Sequence, residues 1–326
     1  ITLADGSNGG LAANYSISAG QTTTANITAK SLTVSGITAS NKTYDGGTNA
    51  TLDASSVAYS GLVNGDTFNG TYTGAFSDKN VGTGKTVTIT PSYSGADVSN
   101  YSVTDQSSTT ANITAKALTV SGITASSKTY DGSTSANLDA SSVLYNGLVS
   151  GDTFTGSYSG LFANANVGTS KTVNITSSYS GSDVSNYSIT NQSLTNADIS
   201  KKALTATASA SNKVYDGSSA ASTTLTLSGL IGSETLASTT SSSFNNKNVG
   251  TGKTVTVNSI TLADGSNGGL AANYSISSGQ TTKANITSKP LTVSGITASN
   301  KIYDSTKTAK TTLSFSGLIG SETINN

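Results

Sequence analysis

The sequence contains no histidine, cysteine, methionine or tryptophan, and all 17 of its basic residues are lysines. Without cysteine or histidine, the chain cannot form a disulfide, build a zinc or iron–sulfur site, or activate a nucleophile with an imidazole base. Its carboxylates occur singly along the sequence and not in the pairs that glycoside hydrolases use. We therefore predict that the protein is not an enzyme, with no cofactor and no metal.

The lack of easily oxidised side chains suits an extracellular protein. The 17 lysines balance 17 acidic residues, so the net charge is zero and no arginine-rich patch points to nucleic acid. No apolar run approaches the roughly 20 residues that a membrane helix needs, and we predict no membrane insertion. The opening "ITLADGSNGG" resembles the interior of a sequence, which predicts that the chain is a piece of a longer polypeptide.

Internal repeats dominate the organisation. Three markers, Tyr-Asp, Asn-Val-Gly-Thr and Asn-Tyr-Ser, recur in fixed order, and Tyr-Asp advances by 86, 85 and 88 residues. Residues 1–18 reappear unchanged at 260–277. The predicted organisation is the C-terminal part of a truncated repeat, three whole repeats and the N-terminal part of another, at residues 1–29, 30–115, 116–201, 202–288 and 289–326.

A period near 86 residues predicts small independent β-domains, because solenoid coils repeat every 20–50 residues. In "KTVTIT", Val87 and Ile89 alternate with threonines, which is typical of a strand with one wet face. Turn residues punctuate the chain, and no sustained helical pattern is present. The fold prediction is all-β: tandem Ig-like antiparallel β-sandwich repeats arranged as an elongated rod, with limited flexing at the short joints near Lys116 and Lys202.

The recurring Tyr-Asp-Gly is interpreted as a structural corner. Asp-Gly is a strong turn signal, and the preceding Tyr is expected to cover the sheet end with its ring and leave its hydroxyl near water. A sugar- or cation-binding corner is the alternative, but no second acidic residue lies nearby and the fourth copy reads Asp304-Ser305. The structural signature residues are Tyr44, Asp45, Gly46, Tyr130, Asp131, Gly132, Tyr215, Asp216, Gly217, Tyr303 and Asp304.

Three further motifs have a functional alternative. "NVGTGKTV" at 80–87 lacks the spacing of a phosphate-binding loop and precedes a strand-like segment, so a kinked loop is expected. "ADGSNGG" at 4–10 and 263–269 offers oxygen ligands for Ca²⁺ but lacks the bidentate Glu, which favours a hairpin loop. A Lys–Asn crosslink through a neighbouring carboxylate is the third, and its candidates are Lys85, Lys171 and Lys253.

"KxYDG", "SGLVNGDTF" at 60–68, "NVGTGKTVTI", "NYSV" and "ANITAKxLTVSG" together resemble the YDG-type repeat domains of large bacterial filamentous-haemagglutinin-like surface adhesins. The resemblance covers essentially the whole chain. It implies extracellular tandem β-domains, secreted or on the bacterial cell surface, and no catalytic residue. From Lys202 onward "SGLIGSET" replaces "GLVNGDTF", a departure that concerns local loop shape and not the fold.

The expected function is that of structural stalk or filament repeats in a secreted bacterial adhesin, which extend or form a surface fibre for attachment or biofilm. The expected partners are neighbouring repeats of the same polypeptide and other copies in a fibre. One alternative is a repeat module that binds host or matrix glycans, with Tyr72 and Tyr158 as aromatic platforms that become Thr240 in the third repeat. Another is a self-assembling extracellular filament subunit that shares strands between neighbouring chains.

Overall fold

A computed structural model describes residues 1–325, and its regular structure is almost entirely β-strand. The helices among these residues are four 3-10 turns of three residues each, at Ala12–Asn14, Val98–Asn100, Val184–Asn186 and Ala271–Asn273. No helix in the described part of the chain is long and apolar enough to cross a membrane. The prediction of an all-β fold is confirmed.

The strands recur in the same order from repeat to repeat. The first repeat contains β1 (Lys30–Ser35), β2 (Thr38–Ala39), β3 (Lys42–Thr43), β4 (Asn49–Ala50), β5 (Leu52–Asp53), β6 (Ala58–Ser60), β7 (Asn69–Phe76), β8 (Gly82–Ser94), β9 (Tyr101–Thr104) and β10 (Ser108–Thr114). The second contains β11 (Lys116–Ser121), β12 (Thr124–Ala125), β13 (Lys128–Thr129), β14 (Ser135–Ala136), β15 (Leu138–Asp139), β16 (Leu144–Asn146), β17 (Thr155–Phe162), β18 (Gly168–Ser180), β19 (Tyr187–Thr190) and β20 (Leu194–Ser200). The third contains β21 (Lys202–Ala210), β22 (Lys213–Val214), β23 (Ala220–Ala221), β24 (Thr223–Ser228), β25 (Leu236–Phe244), β26 (Gly250–Asp264), β27 (Tyr274–Ile276) and β28 (Thr281–Thr287), and it is followed by β29 (Thr292–Ala298) and β30 (Thr311–Ser316).

Each repeat builds a three-stranded and a five-stranded sheet. In the first repeat the strand orders are β6-β1-β9 and β3-β10-β8-β7-β4, with β2 and β5 forming a small separate pair. The second repeat has the same orders, β16-β11-β19 and β13-β20-β18-β17-β14. The third has β24-β21-β27 and β22-β28-β26-β25-β23, while β29 and β30 pair with each other. Tandem repeats of one β-fold are therefore present, as predicted.

The two sheets of the first repeat pack face to face. Val34 and Ile37, in and just after β1, cluster with Ile89 of β8 on the facing sheet. Val87 and Ile89, which alternate with threonines in the sequence, are 0% and 5% exposed. In the third repeat, Ala210 at the end of β21 packs against a buried cluster of the other sheet that includes Phe244 and Val255. The predicted sandwich is confirmed.

Strand direction adds a feature that the sequence did not indicate. Most pairings are antiparallel, but β9 pairs with β1 in parallel, and β3 pairs with β10 in parallel. The third repeat repeats both arrangements, with β27 beside β21 and β22 beside β28. Alternation along a strand reports which face is buried and carries no information about the direction of the neighbouring strand.

The chain divides into two compact units, and the division runs through the second repeat. The first unit consists of Ile1–Leu118, Gly147–Thr155 and Ser180–Thr190, and the second of Thr119–Asn146, Gly156–Tyr179 and Asn191–Asn326. The joint between the first two repeats lies inside the first unit, and the later joints lie inside the second. The predicted repeat boundaries at Lys30, Lys116, Lys202 and Lys289 stay predictions.

Candidate functional site

The signature tyrosine of the first repeat lies in a joint with the second. Tyr44 follows β3, where its N–H donates to the Thr114 carbonyl, and its side chain is buried. Its hydroxyl donates to both carboxylate oxygens of Asp152, at 3.0 and 2.9 Å, and its ring meets that of Tyr187 edge-on at 5.6 Å. The expectation that this hydroxyl lies near water is wrong, because the next repeat covers it.

Asp152 is the acceptor around which this joint is organised. It also accepts from the Tyr187 hydroxyl at 2.5 Å and from Lys79 Nζ at 3.2 Å, although it is almost fully buried. Lys79 reaches a second buried carboxylate, Asp183, at 2.7 Å. A buried carboxylate needs such partners to remain charged. The Lys79 contact lowers the pKa of Asp183 to about 2, and burial followed by the Asp152 contact raises the pKa of Tyr44.

The second joint uses a glutamate in the same role. Tyr130 donates to Glu234 Oε1 at 2.6 Å, and Tyr274 donates to Glu234 Oε2 at 2.6 Å. The two tyrosine rings meet edge-on at 5.4 Å. In the third joint Tyr215 donates to Glu322. The change from "GLVSGDTF" to "SGLIGSET" therefore exchanges the acid and keeps its contact.

A pair of asparagines forms a second contact across each of the first two joints. Asn186 Oδ1 accepts from the Val81 N–H at 2.9 Å, and its Nδ2 donates to Asn80 Oδ1 at 3.1 Å. Asn273 makes the same two bonds in the next joint, to the Val167 N–H at 2.9 Å and to Asn166 at 3.1 Å. Asn186 and Asn273 are each 1% exposed. The Asn-Val-Gly and Asn-Tyr-Ser motifs are thus two halves of one contact.

The signature glycine also faces the neighbouring repeat. Gly46 has φ +81°, and a Cβ built on it would lie 2.8 Å from Val149 Cγ1. Gly132 has φ +75°, and its Cβ would lie 2.9 Å from Ile231 Cγ2. Any larger residue would need both an unfavourable backbone and a shift of the aliphatic side chain that the next repeat places there. The glycine is therefore demanded by the joint as well as by the turn.

The signature aspartate is occupied inside its own repeat. Asp45 Oδ1 accepts from the Gly47 N–H at 2.9 Å and from Lys42 Nζ at 2.8 Å. Lys42 also donates to two backbone carbonyls and lies 5.5 Å from the centre of the Phe76 ring. These bonds lower the pKa of Asp45, with the Lys42 bond the largest cause. We call this arrangement the lysine clamp; the other clamp lysines, each bonded to its signature aspartate, are Lys128, Lys213 and Lys301. An ammonium group thus fills the corner that a bound cation would need.

The fourth copy keeps only the clamp. Lys301 Nζ lies 2.7 Å from Asp304, yet Tyr303 is 88% exposed. Ser305 takes the glycine position with φ +62°. The local turn therefore forms without the neighbour, whereas the tyrosine is buried only where a following repeat receives it.

The other motifs remain local. Lys85 pairs with Asp78 at 2.7 Å, whereas Lys171 and Lys253 donate to Asn164 and Asn246 at 2.7 and 2.6 Å. A crosslink through a carboxylate requires an acidic neighbour, and neither Lys171 nor Lys253 forms an ion pair within residues 1–325. In the loop at 263–269, considered above for Ca²⁺, Asp264 accepts from the Ala271 N–H at 2.8 Å. No cluster of three or more potential metal ligands occurs among the described residues.

The tyrosines considered as glycan platforms point into the sandwich. Tyr72 packs against the Val34 cluster, and its hydroxyl lies 3.1 Å from that of Tyr59. Tyr158 lies at 3.0 Å from Tyr145 in the same way. Their ring faces are not arranged as an open surface on which a sugar could stack.

Comparison with known proteins gives one family. The family model described as the YDG domain matches residues 28–111, 114–195 and 200–283, which together cover most of the chain. No curated protein matches the sequence. A solved structure, the I9–I11 tandem of titin, aligns with 81% of this chain and 98% of its own, at 8% identity and a TM-score of 0.20, a likeness too weak to bear on the fold.

Proposed function

Because this chain belongs to the YDG domain family, we propose that it is a run of structural stalk repeats in a secreted bacterial adhesin. The repeats hold an adhesive part away from the cell or form part of a surface fibre, for attachment or biofilm. Their working partners are the neighbouring repeats of the same polypeptide. The location is extracellular, on the bacterial surface or secreted.

The observation that carries this proposal is the construction of the joint. A tyrosine and an asparagine of one repeat bond to an acid and a second asparagine of the next, at sequence separations of 104 to 108 residues. The glycine of the first repeat faces an aliphatic side chain of the next. Hydrogen bonds to charged acceptors contribute about 1.5–3 kcal/mol each, and neutral ones about 0.5–1.5 kcal/mol. Several such bonds in one small joint oppose bending far more than a flexible linker does. A stalk needs that property, whereas an enzyme or a small-molecule receptor does not.

The test is negative-stain electron microscopy at nanomolar concentration, with the angle between neighbouring domains measured in single particles. We expect narrow angle distributions for the native chain and broad ones for the Asp152→Ala, Glu234→Ala double variant. Asp66→Ala is the matched control, because Asp66 accepts from Tyr101 inside its own repeat. Broad distributions for the native chain would rule out a stiff stalk.

A binding assay separates the stalk from a glycan-binding module. The immobilised chain is exposed to a panel of soluble host and matrix glycans, and a passive stalk gives no saturable signal. Saturable binding of one glycan, lost on competition with the same sugar, would favour the binding module.

A further inference from the structure

In the third repeat, one edge of the three-stranded sheet is a straight strand with an open side. β24, Thr223–Ser228, pairs with β21 along its whole length. No other strand of this sheet borders it among residues 1–325, because the strand order is β24-β21-β27. A hollow of about 480 Å³, lined in part by Ala221, Thr223 and Thr240, lies beside its start. The edge therefore offers a strand of ordinary length for pairing with another strand.

The first two repeats interrupt the corresponding edge. There the chain forms two short strands, β5 and β6 or β15 and β16, with a turn between them. In the first repeat the Val57 N–H donates to the Ala54 carbonyl at 3.1 Å, and Asp53 Oδ1 accepts from the Ser55 N–H at 2.9 Å. The second repeat forms the same two bonds at its equivalent residues. Short edge strands are one means by which β-proteins avoid pairing with other chains.

The third repeat lacks this interruption. Gly217 to Gly229 spans 12 positions, against 15 from Gly46 to Gly61 and 15 from Gly132 to Gly147. The shorter segment runs straight through "TTLTLS", which contains no charged residue, Pro or Gly. Charged residues, Pro and bulges are further means of protecting an edge, and β24 pairs with β21 in an unbroken register. The edge of this repeat is therefore unprotected.

The backbone groups on the open side belong to Leu225 and Leu227. The Ser222 carbonyl accepts from the N–H of the residue that follows β21 at 3.1 Å, so Ser222 directs its polar groups toward β21. The Thr223 carbonyl faces the other way and accepts from Thr240 Oγ1 at 3.4 Å. Successive residues of a strand direct their N–H and C=O groups to opposite sides. Leu225 and Leu227 thus each present a donor and an acceptor to the open side.

These free groups match those of a second copy of β24 in the antiparallel direction. With Thr226 opposite its own counterpart, Leu225 lies opposite Leu227 of the copy, and the two exchange their free N–H and C=O groups. Thr226 then forms the closely spaced pair at the centre, with its Cα roughly 4.5 Å from that of its counterpart. Thr224, Thr226 and Ser228 are exposed on one face, so hydroxyl side chains meet across the new pairing.

We propose that β24 pairs antiparallel with β24 of a second copy of this chain, which joins the two three-stranded sheets into one continuous sheet. A second copy is the fitting partner because an uncharged edge requires an uncharged strand, and β24 matches itself residue for residue about Thr226. The same surface serves on both copies, so the contact closes as a dimer. This dimer does not rest on the stalk proposal, since a chain that bends freely can still form it.

Sedimentation velocity from about 5 to about 500 µM tests the proposal, because a single strand pair is a small interface and small interfaces are weak. We expect the weight-average mass of the native chain to rise roughly 1.5-fold or more across this range, toward that of a dimer. Thr226→Lys places two ammonium groups directly opposite each other at the centre of the pairing, and this variant should stay monomeric.

Thr207→Lys is the matched control. Thr207 lies opposite Thr226 on β21 and is exposed on the same face, but it is one strand further from the copy. The two introduced ammonium groups would lie about 14 Å apart, beyond the screening length of about 8 Å at physiological salt. This variant should therefore associate as the native chain does.

A variant of opposite charge separates a lost contact from a misfolded protein. Thr226→Glu alone should also stay monomeric, whereas an equimolar mixture of Thr226→Lys and Thr226→Glu should form dimers because opposite charges then face each other. The proposal would be overturned by a native chain that stays monomeric, by dimers that survive Thr226→Lys, by an equal loss in Thr207→Lys, or by a mixture that stays monomeric.

Discussion

The hydroxyl of Tyr44 lies 3.0 and 2.9 Å from the two carboxylate oxygens of Asp152, a residue 108 positions further along the chain. This bond makes the Tyr-Asp-Gly signature one half of a joint. The tyrosine and the glycine face the following repeat, and the aspartate holds their turn in shape through the lysine clamp. One short motif thus couples a local corner to the contact between repeats.

Removing the acceptor should weaken the first joint. In Asp152→Ala, the hydroxyls of Tyr44 and Tyr187 lose their shared buried partner, and Lys79 loses one of its two carboxylates. We expect a loss of about 2–4 kcal/mol in the free energy of unfolding, measured by urea denaturation.

Asp66→Ala is the control for that experiment. Asp66 accepts from Tyr101 as Asp152 accepts from Tyr187, but it takes part in no joint with a preceding signature tyrosine within residues 1–325. Asp66→Ala should therefore lower the free energy of unfolding by less than Asp152→Ala does. Equal losses in the two variants would show that the contact between repeats contributes nothing.

The signature glycine gives a second prediction. Gly132→Ala must adopt φ near +75° and bring its Cβ to 2.9 Å from Ile231, and we expect a cost of about 1–3 kcal/mol by thermal or urea unfolding. Gly151→Ala is the matched control, because Gly151 has φ +91° and open space around it. It carries the backbone cost alone. If both variants lose the same stability, the contact with Ile231 is not tight.

The sandwich could be predicted from the sequence because alternating apolar and polar residues mark the buried face of each strand. Val87 and Ile89 alternate with threonines and prove to be core residues, and the 86-residue period separates small domains from a solenoid. No sequence pattern indicates that β1 pairs with β9 in parallel. Period-2 patterns identify a face and not a partner.

The joint could not be predicted, because its partners lie about one hundred residues apart and share no motif. A signal was nevertheless present. In every copy an acid follows the aliphatic residue of "GLV" or "GLI" by three positions, as Asp152 follows Val149 and Glu234 follows Ile231. This shared position of the acid is hard to see in the sequence, because Asp152 stands in "GLVSGDTF" and Glu234 stands in "SGLIGSET". Only the three-dimensional structure shows that Asp152 and Glu234 each accept from the signature tyrosine of the preceding repeat, Tyr44 and Tyr130.

The lysine clamp gives a third prediction. Lys128 Nζ donates to Asp131 at 2.8 Å and to the carbonyls of Ser133 and Ser135 at 2.8 and 3.0 Å, and it lies 5.5 Å from the centre of the Phe162 ring. Lys128→Met removes the ammonium donor from all three acceptors, although Asp131 Oδ1 keeps the Ser133 N–H at 2.8 Å. This variant should lower the free energy of unfolding by about 1–3 kcal/mol. The exposed Lys201 is the control, and Lys201→Met should change the free energy of unfolding by less than about 0.5 kcal/mol. Equal losses of stability in Lys128→Met and Lys201→Met would show that the lysine clamp does not stabilise the fold.

Acid should weaken the first joint through Asp183. Contact with Lys79 lowers the pKa of this carboxyl from 3.8 to about 2, so the folded state favours the charged form. A group whose pKa falls on folding stabilises the protein above its unfolded pKa, and that stabilisation is lost as the pH drops through the folded value. The window therefore runs from about pH 4 down to about pH 2.

Hydrogen exchange at the Val81 amide, which is bonded to Asn186 across the joint, reports this loss locally. Lys79→Met removes the main cause of the lowered Asp183 pKa. In this variant the Val81 amide should be less protected from exchange at about pH 4, and its protection should change less between about pH 4 and about pH 2. Lys247→Met is the control, because Lys247 lies 3.7 Å from Glu322 in a different joint and should leave the Val81 profile unchanged. If native and Lys79→Met protection fall in parallel, Lys79 does not hold the charged form of Asp183, and the acid sensitivity of the joint has another source.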